Sequence, residues 1–136
     1  MHNLKFNSVS LLFQAIFNNM EIIMAMNPGN EFLLEDCLKE YVSTTRAIHL
    51  WFHGAHNVTR GTGFSGDHVN LYGQIYRTIE EDIDGLIEKA VGLTQNEGLA
   101  CPTSITVRAG EILSNYPSPV ELTSLAIASC GLQLLE

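Results

Sequence analysis

From Leu33 to His56, apolar residues return every three or four positions. Leu34, Leu38, Tyr41, Thr45, Ile48 and Phe52 trace one face of a long helix, as a 3.6-residue period requires. A second and stronger pattern starts near Ser65 or Asp67, either able to cap a helix, and runs to about Leu93. Its Tyr72, Ile75, Ile79, Ile83, Leu86 and Ala90 keep one face apolar, while Arg77, Glu81, Asp84 and Glu88 hold another. Between the two lies a Gly-rich connection, Thr59 to Gly66. The pattern therefore predicts two long helices folded back on each other over residues 31–95.

The flanks are less regular. Leu4, Leu11, Leu12, Ala15, Ile16, Met20 and Ile23 fit a helix over about 8–26, before the turn signal Asn27-Pro28-Gly29-Asn30. Beyond Asn96-Glu97-Gly98 and a loop at Cys101-Pro102, Thr103 or Ser104 opens a short helix to about Asn115. The β-branched run Ile105-Thr106-Val107 leaves a short strand as the competing reading there. Pro117-Ser118-Pro119 breaks that element, and Leu122, Leu125, Ala126, Ser129, Leu132 and Gln133 space a last helix from about Ser118 to Leu135. The expectation is one all-α domain over 1–136: an N-terminal helix and turn (1–30), a central hairpin (31–95) and C-terminal helices (96–136).

Composition narrows the function. With 46% hydrophobic and only 16% charged residues, surfaces covered by other copies are expected, hence a homo-oligomer. Fifteen acids against seven bases leave a net charge of −8. That balance disfavours direct nucleic-acid binding, which needs clustered Lys and Arg, and suits attraction of cations. Three cysteines, Cys37, Cys101 and Cys130, are far apart and form no C-x-x-C pair. They predict neither a disulfide framework nor a thiolate zinc site, and point to a reducing, cytoplasmic setting. Residues Phe6 to Met26 are fairly apolar, but Lys5 is a feeble leader and Asn18, Asn19 and Glu21 interrupt the run. Neither a signal peptide nor a membrane partner is expected.

The chemistry concentrates on histidine. Three of the five histidines, His49, His53 and His56, end the first long helix and span about 60° of its circumference. His68 follows twelve residues after His56, so a helical hairpin brings those two to the same end. Asp82, Asp84 and Glu88 supply carboxylates on the second helix, with Asp84 and Glu88 one turn apart. Imidazole with carboxylate is a ligand mix for iron, manganese or zinc, and carboxylate-rich sites favour the harder ions. A lone histidine near an apolar face is usually a packed, hydrogen-bonded side chain; three on one strip with a fourth across the turn weigh toward metal. Trp51 and Phe52, which flank them, are expected as core or interface aromatics rather than as a shell around a metal.

Other motifs carry less. Gly61-Thr62-Gly63-Phe64-Ser65-Gly66 matches a dinucleotide fingerprint, but a helix, not a strand, precedes it. Asn57-Val58-Thr59 is a glycosylation sequon without a secretion signal. Cys37 lies about 24 Å along the helix from His53, too far to form a nucleophile and base pair. Neither a Gly-x-Ser-x-Gly elbow nor a His-Glu-x-x-His zinc motif occurs.

Residues His56-Asn57-Val58-Thr59-Arg60-Gly61-Thr62-Gly63-Phe64, then His68, then Ile83-Asp84-Gly85-Leu86-Ile87-Glu88 resemble the central block of the Dps-type miniferritins. The resemblance spans roughly residues 45 to 93. It implies a ferritin-like four-helix bundle in a hollow homo-oligomer that oxidises ferrous iron at sites shared between two subunits and stores the ferric product. His56, His68, Asp84 and Glu88 match the catalytic and metal-ligating positions, with His53 and Asp82 as substitutes; iron is the implied ion and another divalent metal the variant. This chain departs from the family in having Tyr72 where an acid stands one turn after the second histidine. Its Asp84/Glu88 pair also comes one residue late, which calls for a bulge or shifted register, and only about forty residues follow the second helix. A neighbouring subunit or the N-terminal helix would then complete the bundle. The chain also resembles degenerate ferritin-like cores of virus-associated proteins, which implies a non-enzymatic structural or virion-associated subunit as the second reading.

Overall fold

Helix α1 (Glu31–Val58) is apolar on more than the side its periodicity announces, because it packs against nearly everything else. The computed structural model describes residues 31–61, 64–122 and 124–135; the helix expected over 8–26 lies outside them. After α1 the chain passes into a π-helical segment (Phe64–Tyr72) that runs directly into α2 (Gly73–Thr94). A 3₁₀ turn (Glu97–Ala100) leads to α3 (Pro102–Leu113), and a second (Pro119–Glu121) to α4 (Ser124–Leu135). The described residues contain no strand, so the strand reading of Ile105-Thr106-Val107 gives way to α3. None of their helices is long and apolar enough to cross a membrane.

Leu34, Leu38, Thr45 and Phe52 of the expected α1 face are buried, but so are Val42, Ser43, Ala47, Trp51 and Ala55. The second set exists because α3, α4 and the Pro119 turn cover α1 beside α2. On α2 the expected face is seen: Ile75, Ile79, Ile83, Leu86 and Ala90 are all buried. Two clusters result. Leu34, Leu38, Val42, Leu86, Ala90, Leu99 and Ile105 close the far end of the hairpin. At the histidine end Trp51, Phe52, Tyr72, Ile75 and Ile79 pack with Ile127 and Cys130 of α4. Each large side chain so buried contributes about 1.5–3 kcal/mol.

The ends have local causes. Gln95 stops α2 by taking a left-handed conformation (φ 57°), its N–H donating to Val91 O at 2.8 Å. Asn96 then caps the 3₁₀ turn, its side chain accepting from Gly98 N–H, while its Nδ2 donates to Glu35 Oε2 at 2.8 Å and ties this loop to the start of α1. Helix α3 begins at Pro102 rather than at the expected Thr103 or Ser104, since proline suits a first turn where the N–H has no partner. The last helix begins at Ser124 instead of Ser118. Pro119 seeds a 3₁₀ turn, and Leu122 (φ −106°, ψ 149°) is extended, which no helix continues through. On the surface, Arg108 grips Glu40 with two bonds of 2.7 and 2.8 Å and Glu111 with one of 2.8 Å, linking α3 to α1. All three are exposed, so this clamp orients more than it stabilises.

Candidate functional site

Two short polar contacts join the two histidines that the turn brings together. His56 Nδ1 donates to the backbone carbonyl of His68 at 2.6 Å, and His68 Nδ1 donates to the carbonyl of His56 at 2.7 Å. The rings lie face to face, centres 3.7 Å apart and planes 16° from parallel. Both bonds have a backbone reason. The His56 carbonyl is among the last four of α1, which have no partner within the helix, and His68 caps it. Since a carbonyl only accepts, each neutral ring must carry its proton on Nδ1, leaving the Nε2 lone pair available. Among the described residues no group hydrogen-bonds either Nε2.

Two glycines make this clasp possible. Gly61, at φ +79°, turns the chain out of α1 through a left-handed conformation. Gly73 gives the His56 ring its seat: a Cβ there would stand 2.8 Å from the His68 carbonyl oxygen and 3.3 Å from His56 Nδ1.

The imidazoles continue as a column of rings. Phe64 stacks on His68 at 4.3 Å, and Tyr76 of α2 lies 5.1 Å from His56 and 4.7 Å from His53, stacked on the latter. His49 ends the row, 6.0 Å from both His53 and Tyr76. Unlike exposed His53, His49 is buried. Burial first, then the positive charge of Arg46, pushes its imidazole below the ordinary histidine value; His53 adds to this and Glu80 opposes it.

A depressed value in the folded state means that the unfolded chain takes up the proton first on acidification. His49 therefore contributes stability above about pH 6.5 that is lost as pH falls through the lowered folded value. We expect His49→Gln to flatten the fall in urea-unfolding stability between about pH 7 and pH 5. An unchanged slope would remove His49 from that dependence.

The carboxylates fall elsewhere. The ring contacts set Tyr76 level with His53, and a groove of about 360 Å³ is lined by Arg46, Glu80, Glu81, Ile83, Asp84 and Ile87. Asp84 is thus level with Arg46, about 15 Å along the axis from His56 at 1.5 Å per residue. Both Asp84 and Glu88 are exposed. The late register of that pair called for a bulge, and the π-helical segment is a register change in the right place, yet within one chain it does not turn the pair toward the imidazoles. Asp82 faces α1 instead, beside Tyr41. Its Oδ2 is buried without a hydrogen-bond partner among the described residues. Burial, then Glu81, pushes its carboxyl up, with Lys89 pulling the other way, and burial followed by Asp82 pushes the Tyr41 phenol up.

The hairpin therefore joins His56 to His68 and sets His53 beside them, but leaves Asp82, Asp84 and Glu88 apart. Among the described residues no three His, Cys, Asp or Glu side chains are grouped to hold a metal ion. Tyr72, at the position where the resemblance implies an acid, is a core residue packed 6.1 Å from Phe52. Trp51 and Phe52 are core aromatics, as expected. Tyr76 and Gly73 were hidden in the sequence: Tyr76 sits one position off the apolar stripe, and a glycine inside a helical pattern looks like a defect. Comparison of the chain with protein-family models, curated proteins and solved structures finds no match.

Proposed function

We propose that this chain is a ferritin-like, homo-oligomeric iron-binding subunit in which His56 and His68 act with Asp84 and Glu88 of a second copy. The observation that carries the reading is the reciprocal histidine clasp. Both Nδ1 atoms are committed to backbone carbonyls, an arrangement that fixes the tautomer and aim of a metal-binding imidazole. Stacked rings hold their Nε2 lone pairs in nearly parallel planes, so the two nitrogens serve separate ions better than one. The exposed Asp84 and Glu88, one turn apart, offer the oxygen donors that ferrous iron prefers. A twofold arrangement of hairpins supplies them across the interface, with exposed His53 as the substitute imidazole. In the enzymatic form of this reading, each bound ferrous ion gives one electron to oxygen or peroxide, and the ferric product is kept inside the assembly.

A second reading has its own support. The same clasp caps the end of α1 and joins two helices, which is a sufficient structural role for both histidines. A core tyrosine replaces the acid at position 72. On this reading the chain is a non-enzymatic assembly or virion-associated subunit that keeps the hairpin.

Anaerobic ferrous titration of the intact oligomer, followed by admission of air, separates the two. The iron reading expects saturable binding, its loss in Asp84→Asn, and an absorbance rise from ferric product once oxygen enters. No saturable ferrous binding by the assembled protein leaves the structural reading.

A further inference from the structure

His53 and His56 are adjacent along α1, three residues apart, with ring centres 6.5 Å apart. An ion bound to an imidazole nitrogen at about 2.0–2.1 Å stands roughly 3.2 Å from that ring's centre. Two rings on one ion then have centres at most about 6.4 Å apart. At 6.5 Å the pair lies outside even that straight-line limit, and two ligands meeting an ion at about 90–110° need centres about 4.5–5.2 Å apart, so the rings must approach by more than about 1 Å. His53 is exposed and makes no hydrogen bond among the described residues, so its ring can leave the stack on Tyr76 and turn toward His56. His56 needs no adjustment of its proton, because its Nδ1 bond to the His68 carbonyl already frees Nε2.

The neighbouring pairs do not fit as well. His56 and His68 are stacked at 3.7 Å, and one ion between them would need a ligand angle of only about 70°. His49 and His53 are within range, but the Arg46 guanidinium lies 3.5 Å from His49 Nδ1. That places both a positive charge and a competing donor at the imidazole. Beside the His53–His56 pair stands Tyr76, its ring stacked on His53 at 4.7 Å, 5.1 Å from His56, and with the Arg77 guanidinium 5.6 Å over it. The chain's net charge of −8 draws cations from solution.

We propose that His53 and His56 form a two-imidazole site for a borderline divalent transition-metal ion, with water completing the coordination. Nitrogen donors without carboxylate select along the series that peaks at Cu²⁺, with Ni²⁺ and Zn²⁺ weaker, rather than favouring ferrous iron. The site uses one chain only; it shares His56 with the proposed iron site but needs neither a second copy nor its carboxylates. No electron transfer is involved; the ion keeps its charge.

The test is equilibrium titration of the full chain with copper(II) chloride in a non-chelating buffer, with electron paramagnetic resonance of the bound ion. One saturable site with splitting from two nitrogens is expected. Exposed His53 can be changed without disturbing the clasp, so His53→Ala should keep its circular dichroism, bind at least about tenfold more weakly and lose one nitrogen. His2→Ala tests a site at the amino terminus and should bind as the parent chain does. Unchanged binding in His53→Ala, or loss of the signal in His2→Ala, overturns the proposal. Copper binding that persists where ferrous titration fails rejects the iron reading alone, and the converse result rejects this site alone.

Discussion

Gly73→Ala should destabilise the chain by about 1–3 kcal/mol, the usual cost of forcing an extra carbon into a filled position. Alanine ordinarily strengthens a helix by about 0.5–1 kcal/mol relative to glycine, so the expected sign is the reverse of the simple one. The cause is local. The new Cβ would meet the His68 carbonyl oxygen at 2.8 Å and the His56 ring at 3.3 and 3.4 Å. The carbonyl is backbone and cannot swing away, and the ring is held by a 2.6 Å bond to that same carbonyl. Gly85 and Gly92 lie in the same helix with nothing within 4 Å of a Cβ. Alanine at either should stabilise. Urea unfolding of the three variants at one protein concentration checks this; if Gly73→Ala gains stability like the other two, the clasp is not built as described.

Phe52→Ala carries the largest expected loss, about 3–5 kcal/mol, because the ring fills the junction of the hairpin with α4 and nothing nearby can collapse into its place. Phe52 is 2% exposed, lies edge-on to Trp51 at 5.3 Å and packs against Tyr72 at 6.1 Å. It also borders Gly131 so closely that a Cβ on that glycine would approach Phe52 ring carbons at 3.1 Å. Trp51 is anchored independently, its indole N–H donating to Pro117 O at 3.0 Å. The cavity should therefore loosen α4 before it disturbs the far cluster of Leu38, Leu86 and Ile105. Hydrogen exchange should show Ser124–Leu135 losing protection ahead of Glu31–Tyr41. A loss below about 1.5 kcal/mol, or uniform loosening, contradicts this placement of α4.

The two experiments probe opposite sides of one helix end. Gly73 concerns the polar clasp between α1 and the π-helical segment, while Phe52 concerns the apolar seam beneath it. If the clasp were chiefly a structural rivet, His56→Ala should lower stability much as Gly73→Ala does. If it also prepares ligands, Gly73→Ala should weaken metal binding at His56 beyond what its stability loss accounts for, since the ring itself is displaced.

Helical periodicity was enough to announce α1, α2 and the hairpin between them, because a 3.6-residue repeat of Leu, Ile and Phe makes one burial solution far better than others. It was also enough to place His56 beside His68, since a short turn between antiparallel helices leaves residues twelve apart at the same end. Composition and charge narrowed the partners. The start of α4 was misplaced because Ser118 resembles a cap, whereas proline geometry at Pro119 and the extended Leu122 delay the helix.

Tertiary structure alone decided the rest. Axial level within a hairpin depends on how many residues the turn and the π-helical segment consume, and no local pattern encodes that count. It puts Asp84 level with Arg46 instead of with His56, so Asp84 and the His56 imidazole of one chain stay about 15 Å apart along the axis. The same packing makes Tyr72 a core residue and turns Gly73 from an apparent helix weakness into the seat of an imidazole. Local sequence sets which faces must be buried; only the packed chain sets which residues meet at the same height, because that depends on every element between them at once.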